Sequence, residues 1–329
     1  MKRFWFVLVL ALTLAGAAQV SAAAVSITIR EWRVPDGSFP HDPAVAPDGA
    51  LWYTGMQDNT LGRLDPRTGA IRGYPLKTPK SGPHGLVADR AGNIWFTANY
   101  RGYIGRLDPK TGTVTEYAMP DKAAKDPHTL IFDSKGILWF TVQRGNFVGR
   151  LDPASGKITL KKSPTAGSKP YGIIVDSQGI PYFCEFGSNK IGRIDPATMT
   201  IREYLLPEGA RPRRIAVTPD DMIWYSDYRR GYLGRLNPTT GKVDEWPSPA
   251  GKEAKPYGMA ATSDGAVWYS ESGIKPNSIV RFDPKSRTFA RWSIPSGGGI
   301  VRHMVATPAG DLYLACSGVD KVGVVTVGQ

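Results

Sequence analysis

Histidine and cysteine are scarce in this chain, four of one and two of the other. Cys184 and Cys316 show no Cys/His spacing of the zinc-finger kind and fall in repeats that are not neighbours, so neither a zinc finger nor a disulfide framework organises the fold. Each thiol reads as a small buried apolar side chain. Long apolar runs are just as rare: after Phe4 to Ala18 nothing is apolar enough to span a bilayer. Lys2 and Arg3 precede that run and Ser21-Ala22-Ala23-Ala24 follow it, so residues 1–24 read as a secretory signal peptide, and an exported, periplasmic or secreted protein with no transmembrane segment is expected. Long basic blocks are missing too. The formal charge of +12 falls to +10 without Lys2 and Arg3, and is carried by small groups such as Lys161-Lys162, Arg211/Arg213/Arg214 and Arg229-Arg230. That pattern reads as a solvated basic surface with no nucleic-acid partner, because the aromatics sit at structural repeat positions.

What the chain does have is a period. Trp52, Trp95, Trp139, Tyr182, Trp224, Trp268 and Tyr313 follow one another at 42 to 45 residues, the mark of a repeat architecture. The unit is clearest from Pro83 to Pro120. Pro83-His84-Gly85 opens an apolar strand, Asp89 to Gly92 turns, Ile94 to Thr97 and Tyr103 to Leu107 form two more strands, and Asp108-Pro109-Lys110-Thr111-Gly112 leads to a fourth. Asp and Pro initiate such turns and Gly accepts a positive φ at little cost. The Asp-Pro turns at Asp65 and Asp152, with Asn237 as a variant, therefore read as hairpins rather than metal loops; the Gly-Arg pairs ending at Arg63, Arg106, Arg150, Arg193 and Arg235 read as packing or ion pairing between repeats.

The last repeat lacks a fourth strand, while Thr28-Ile29-Arg30-Glu31-Trp32 copies the fourth strand Thr200-Ile201-Arg202-Glu203-Tyr204. The expectation is an all-β, seven-bladed β-propeller over residues 25–329 as one domain, closed by the N-terminal strand, which removes the exposed edges.

In such a blade the first strand lines the central channel, and its start meets the end of the second strand at one mouth. First-strand starts supply His41, His84, His128, Tyr171, Arg213, Tyr257 and Arg302, with His303 adjacent, which accounts for every histidine. Just beyond the second strand, blades four to six supply Glu185, Asp227 and Glu271. The expected site divides imidazoles from carboxylates across a polar mouth. Three histidines there could hold a transition metal.

The repeat Pro-His/Tyr-Gly-(Leu/Ile) … Trp-Phe-Thr … Ile-Gly-Arg-(Leu/Ile) … Glu-Tyr-x-x-Pro resembles the virginiamycin B lyase (streptogramin B lyase) family over nearly all the mature chain. The resemblance implies a magnesium-dependent lyase that opens a cyclic depsipeptide lactone by elimination. It also implies a general-base His in an acid-Pro-His-Gly stretch of the last blade, a substrate-contacting His in the blade before, and a metal-binding Glu past the last second strand. Matched blade for blade, this chain has Arg302, Tyr257 and Ser317 at those places. Rotated onto Asp126-Pro127-His128 and Pro83-His84, the pattern finds two of its three parts, with Gln143 in place of the Glu.

Three functions follow as expectations. The first is a metal-assisted lyase acting on an ester or lactone, with His128 as base, His84 orienting the substrate, Asp126 positioning His128 or the metal, and His41, Tyr171, Arg213, Tyr257, Arg302 and His303 contacting substrate. Glu185, Asp227 and Glu271 would hold Mg2+ or another divalent cation. The second is a binding propeller without chemistry, since this fold hosts many functions. The third is a lactonase-type hydrolase using the same acids. A small-molecule or cyclic ester ligand is the expected partner; the oligomeric state is open, with a monomer favoured.

Overall fold

Each repeat buries its first three strands almost throughout, leaves the outermost part-exposed and breaks at Gly and Asp turns, so it forms one twisted antiparallel sheet. The structure, a computed structural model, describes residues 25–328; the expected signal peptide lies outside them. Seven four-stranded sheets follow one another around a ring, and in the first six the strands run in sequence order from the channel outward. Blade two, for example, runs Pro83–Ala88, Ile94–Ala98, Tyr103–Asp108 and Thr113–Ala118. In blade seven, Val301–Ala306, Leu312–Cys316 and Lys321–Val327 are completed by Ile27–Arg33, which pairs antiparallel from Ile27↔Val327 to Arg33↔Lys321. The N-terminal closure is as expected.

The ring is held by the recurrent second-strand aromatics. Trp52, Trp95, Trp139, Trp224 and Trp268 are fully buried, and local partners take the indole N–H of four of them: Trp95 and Trp139 donate to Asp89 and Asp133 at 2.9 Å, Trp224 and Trp268 to Thr218 and Thr262 at 3.0 and 3.2 Å. Opposite Trp52, Trp95, Trp139 and Trp224 lies the arginine of a Gly-Arg pair, and opposite Trp268 lies Arg281 after Val280; Arg106 and Arg150 stack 5.8 and 5.9 Å from the indole centroids of Trp95 and Trp139. Such cation–π contacts contribute roughly 0.5–1 kcal/mol at exposed sites. The glycine of the pair is there because the neighbouring ring covers it: a Cβ on Gly105 would lie 2.2 Å from Phe96.

The Asp-Pro turns also have a local role. Asp108 Oδ1 accepts the Lys110 N–H at 2.9 Å, and Asp65 and Asp152 repeat the bond two residues on. Cys184 and Cys316 are buried and free. Among the described residues, no helix is long and apolar enough to cross a membrane.

Candidate functional site

Every first strand carries a bulge at its start. In blade three Pro127 pairs with Val142 but Leu130 pairs with Phe140, so His128 and Thr129 together oppose one residue, Thr141. The Thr141 hydroxyl accepts the Thr129 N–H at 3.3 Å and donates to the Tyr171 carbonyl of the next blade at 2.6 Å. Thr54 and Thr97 bridge in the same way, and Ser270 ties the Gly258 N–H to the Val301 carbonyl. A β-bulge re-aims side chains; here it presents two consecutive residues of each first strand to the channel.

The first of the two builds a stack. The rings of His41 and His84 are 3.7 Å apart between centroids, those of His84 and His128 3.9 Å, and those of His128 and Tyr171 3.9 Å. The Tyr171 and Tyr257 hydroxyls meet at 2.5 Å, and Arg213 Nη2 donates to Tyr171 at 3.3 Å. Arg213 itself sits against Tyr257, Tyr228, Phe186 and Tyr171, at 3.7, 4.3, 5.0 and 5.2 Å from their ring centroids. Arg302 stacks 5.1 Å from Phe39. The expected convergence of His84 and His128 is therefore present, as is that of Tyr171, Arg213 and Tyr257.

The second residue of the pair carries a cross-channel brace. Arg214, 1% exposed, donates from Nη2 to Asp42 at 2.7 Å, from Nη1 to Thr129 at 3.1 Å and from Nε to the Arg302 carbonyl at 3.0 Å, so one side chain on blade five reaches blades one, three and seven. Asp42 also takes a bond from His41 Nδ1 at 2.8 Å. Of this column, only His303 was among the site residues expected from the sequence. Asp42, Thr129, Arg214 and His303 stand where Gly85, Gly172 and Gly258 stand in the other blades, and that departure from glycine is the signal that marks them.

Burial and the guanidiniums set the electrostatics. Burial pushes His41 down to about 4, against the pull of Asp42, and His303 down to about 3 with Arg214 adding to the effect. His84 and His128 lie well below the ordinary imidazole value, first through burial, then through the neighbouring imidazoles at His84 and Arg214 at His128. All four rings are neutral at neutral pH, and a base so depressed is a weak one. Burial raises Asp42, but Arg214 and then His303 outweigh it and hold the carboxyl well below its usual range. Burial likewise raises Tyr171, yet Arg213 and Arg214 bring its phenol below the ordinary value.

Four expected acids are elsewhere. Asp126 does not position His128: its carboxylate accepts the N–H groups of Arg144 at 2.6 Å and Gly145 at 3.1 Å, and the His128 Nδ1 partner is Thr129 Oγ1 at 3.0 Å. Glu185 is taken up by Ser163 and Ser188, Asp227 by Arg230 and the Arg211 and Arg229 amides, and Glu271 by Ser248 and the Ala250 amide. All three are fully buried at loop bases, and they form no shared ligand group. Successive strand residues point to opposite faces, so it is the following residues, Phe186 and Tyr228, that reach the mouth. Ser317, in the place of the expected Glu, donates to the Pro40 carbonyl at 2.7 Å and joins blade seven to blade one.

Magnesium requires an octahedron of oxygens. Among the described residues, the group close enough to hold an ion is His41, Asp42 and His84, whose donor atoms lie within 4.8 Å of one another. It offers two nitrogens and one carboxylate, and Arg214 already sits on that carboxylate. The residues present do not fit Mg2+.

The sequence profile described as the Virginiamycin B lyase family matches residues 5–187 and 182–329. A streptogramin B lyase structure is 28% identical, with a TM-score of 0.84, covering 92% of this chain and 98% of its own. A virginiamycin B lyase from Staphylococcus aureus is 26% identical, with a TM-score of 0.83, covering 92% and 99%. A hydrazine synthase chain from Kuenenia stuttgartiensis, 15% identical with a TM-score of 0.75 over 89% and 96%, shares the fold alone. No curated protein matches the chain. With profile matches spanning nearly its whole length and its blades laid out as in those two lyases, the chain belongs to the virginiamycin B lyase family.

Proposed function

We propose that this chain is a small-molecule-binding propeller that holds its ligand at the histidine- and arginine-bearing mouth without metal-assisted opening of an ester. One observation carries the reading. The mouth brings together Arg213, Arg214 and Arg302 around neutral imidazoles, and its carboxylate, Asp42, is already engaged by Arg214. A donor-rich, acid-poor site of this kind binds oxygen-bearing ligands and offers a magnesium ion nothing to replace its water. The test is a thermal-shift panel of lactones, cyclic depsipeptides and carboxylates with Mg2+ or EDTA, followed by chromatography and mass spectrometry of the recovered ligand. Stabilisation independent of metal, with the ligand recovered intact, is expected; hydrolysis would add the mass of water, and elimination would keep the mass while changing the retention time.

A second reading, a metal-independent carbon–oxygen lyase, is favoured by Tyr171. Its phenol is 2.5 Å from Tyr257 and 3.3 Å from Arg213, beside a second guanidinium that helps lower its pKa. As a base it would take the proton from a carbon next to a carbonyl; that electron pair forms the carbon–carbon double bond as the carbon–oxygen bond breaks, releasing a carboxylate. A Tyr171→Phe variant that still binds but no longer yields the ring-opened product would support this reading. Export is proposed on the leader pattern of residues 1–24, and N-terminal sequencing of extracellular or periplasmic material tests it.

A further inference from the structure

Two buried guanidinium nitrogens at the mouth have no partner, Arg213 Nε and Arg302 Nε. They are joined there by two unpartnered imidazole nitrogens, His84 Nδ1 and His303 Nδ1. An orphaned buried donor on a charged group is costly, and two such nitrogens beside two unpartnered imidazole nitrogens, all on one ring of first strands, mark a place where something else completes the bonding. Arg213 and Arg302 are half-buried residues, so solvent reaches part of each residue even though its Nε is covered. Beside Arg213 stand Phe186 and Tyr228, also half-buried, with the Lys255 ammonium 5.8 Å from the Tyr228 ring. Aromatic faces and cations thus share one sector, over blades four to six, and the acids of those blades are turned into their own loops.

We propose that the ligand is a small carboxylate with an aromatic or other flat apolar body, its oxygens on Arg213 and Arg302 and its body against Phe186 and Tyr228. This inference rests on the mouth being a ligand site. The chemistry follows from complementarity: guanidinium forks match carboxylate oxygens, and a flat apolar body covers the rings that flank them. Asp42 does not oppose the anion, because its charge is balanced by Arg214 at 2.7 Å.

Saturation-transfer NMR tests the assignment on the full mature chain, using benzoate, phenylacetate and 2-naphthoate as probes with the matching amides as neutral controls. The acids are expected to bind and the amides to bind at least tenfold more weakly, with affinity falling as salt is raised. Arg302→Gln should weaken the acids by about tenfold or more, the loss expected for a charge-assisted pair, while far-UV circular dichroism and the melting curve show the ring intact. Phe186→Ala should weaken 2-naphthoate more than benzoate. Amides binding as well as acids, or Arg302→Gln leaving acid binding unchanged, overturns the carboxylate assignment and leaves the mouth as a ligand site. No binding by acids, amides or neutral lactones overturns both.

Discussion

Replacing Arg214 by Met removes the brace across the channel and leaves Asp42 buried without its counter-charge. Breaking one side of a buried pair costs about 3–5 kcal/mol. Asp42 has one escape, which is to take up a proton. At pH 7, roughly three units above an ordinary Asp pKa at about 1.36 kcal/mol each, that escape limits the carboxylate's share to about 4 kcal/mol. For a propeller of about 300 residues, with an unfolding entropy of roughly 2.1 cal/mol/K per residue, a loss of 3–5 kcal/mol lowers Tm by about 5–8 °C. The limit shrinks as the proton becomes easier to supply, so the gap between wild type and Arg214→Met should narrow by about 1.4 kcal/mol per unit between pH 7 and pH 5. Differential scanning calorimetry at several pH values reads both quantities. The Asp42→Leu, Arg214→Met double variant should recover much of the loss, because apolar replacement of a buried pair is often neutral. A loss below about 1 kcal/mol for the single variant, or strict additivity of the two substitutions, would refute the brace.

Acid stability should follow the imidazoles. His41 falls to about 4 and His303 to about 3 in the folded ring, so below pH 6.5 the unfolded chain binds more protons than the folded one. Their contribution is complete above the unfolded pKa and is lost as pH falls from 6.5 toward those values, at up to about 1.4 kcal/mol per unit for each ring; equilibrium urea titrations flat from pH 7 to pH 4 would contradict this. Trp139→Ala should cost about 3–5 kcal/mol and lower the melting temperature of the whole ring, since the indole it removes is fully buried in a close-packed core; an unchanged melt would contradict it. Asp126→Asn should loosen the Arg144–Gly145 turn, seen as faster amide exchange there, while leaving ligand binding unchanged. Addition of Mg2+ or EDTA should leave the melting temperature where it is, and a rise with Mg2+ would show a metal set the mouth does not display.

The architecture was legible because it is written seven times over: Trp52 and its equivalents give the period, and Thr28 to Trp32 matches a fourth strand closely enough to give the closure. The first-strand column was legible for the same reason, and His41, His84, His128 and Tyr171 do stack around the channel. Two errors came from reading sequence neighbours as spatial ones. Asp126 precedes the strand that carries His128, and its carboxylate turns to the backbone of the next hairpin. Glu185, Asp227 and Glu271 are one residue out of phase with the mouth, and a strand reverses its face at every residue. Arg214 was hidden by a different cause. Its role appears only when a bulge brings two consecutive residues to one side, and the pairing register shows that bulge where the sequence pattern does not.

The histidines provide the most direct measurement, since the four in the chain all lie on first strands at this mouth. Imidazole nitrogen spectra of 15N-histidine-labelled protein, recorded across pH and during a benzoate titration, report the site and its ligand together. The account predicts four neutral rings at pH 7, His41 and His303 protonating only at about pH 4 and about pH 3 and His84 and His128 well below the ordinary imidazole value, and shifts in His84 and His303 as benzoate is added. Rings that titrate near 6.5 as in a free peptide, or that do not respond to any carboxylate, would contradict it.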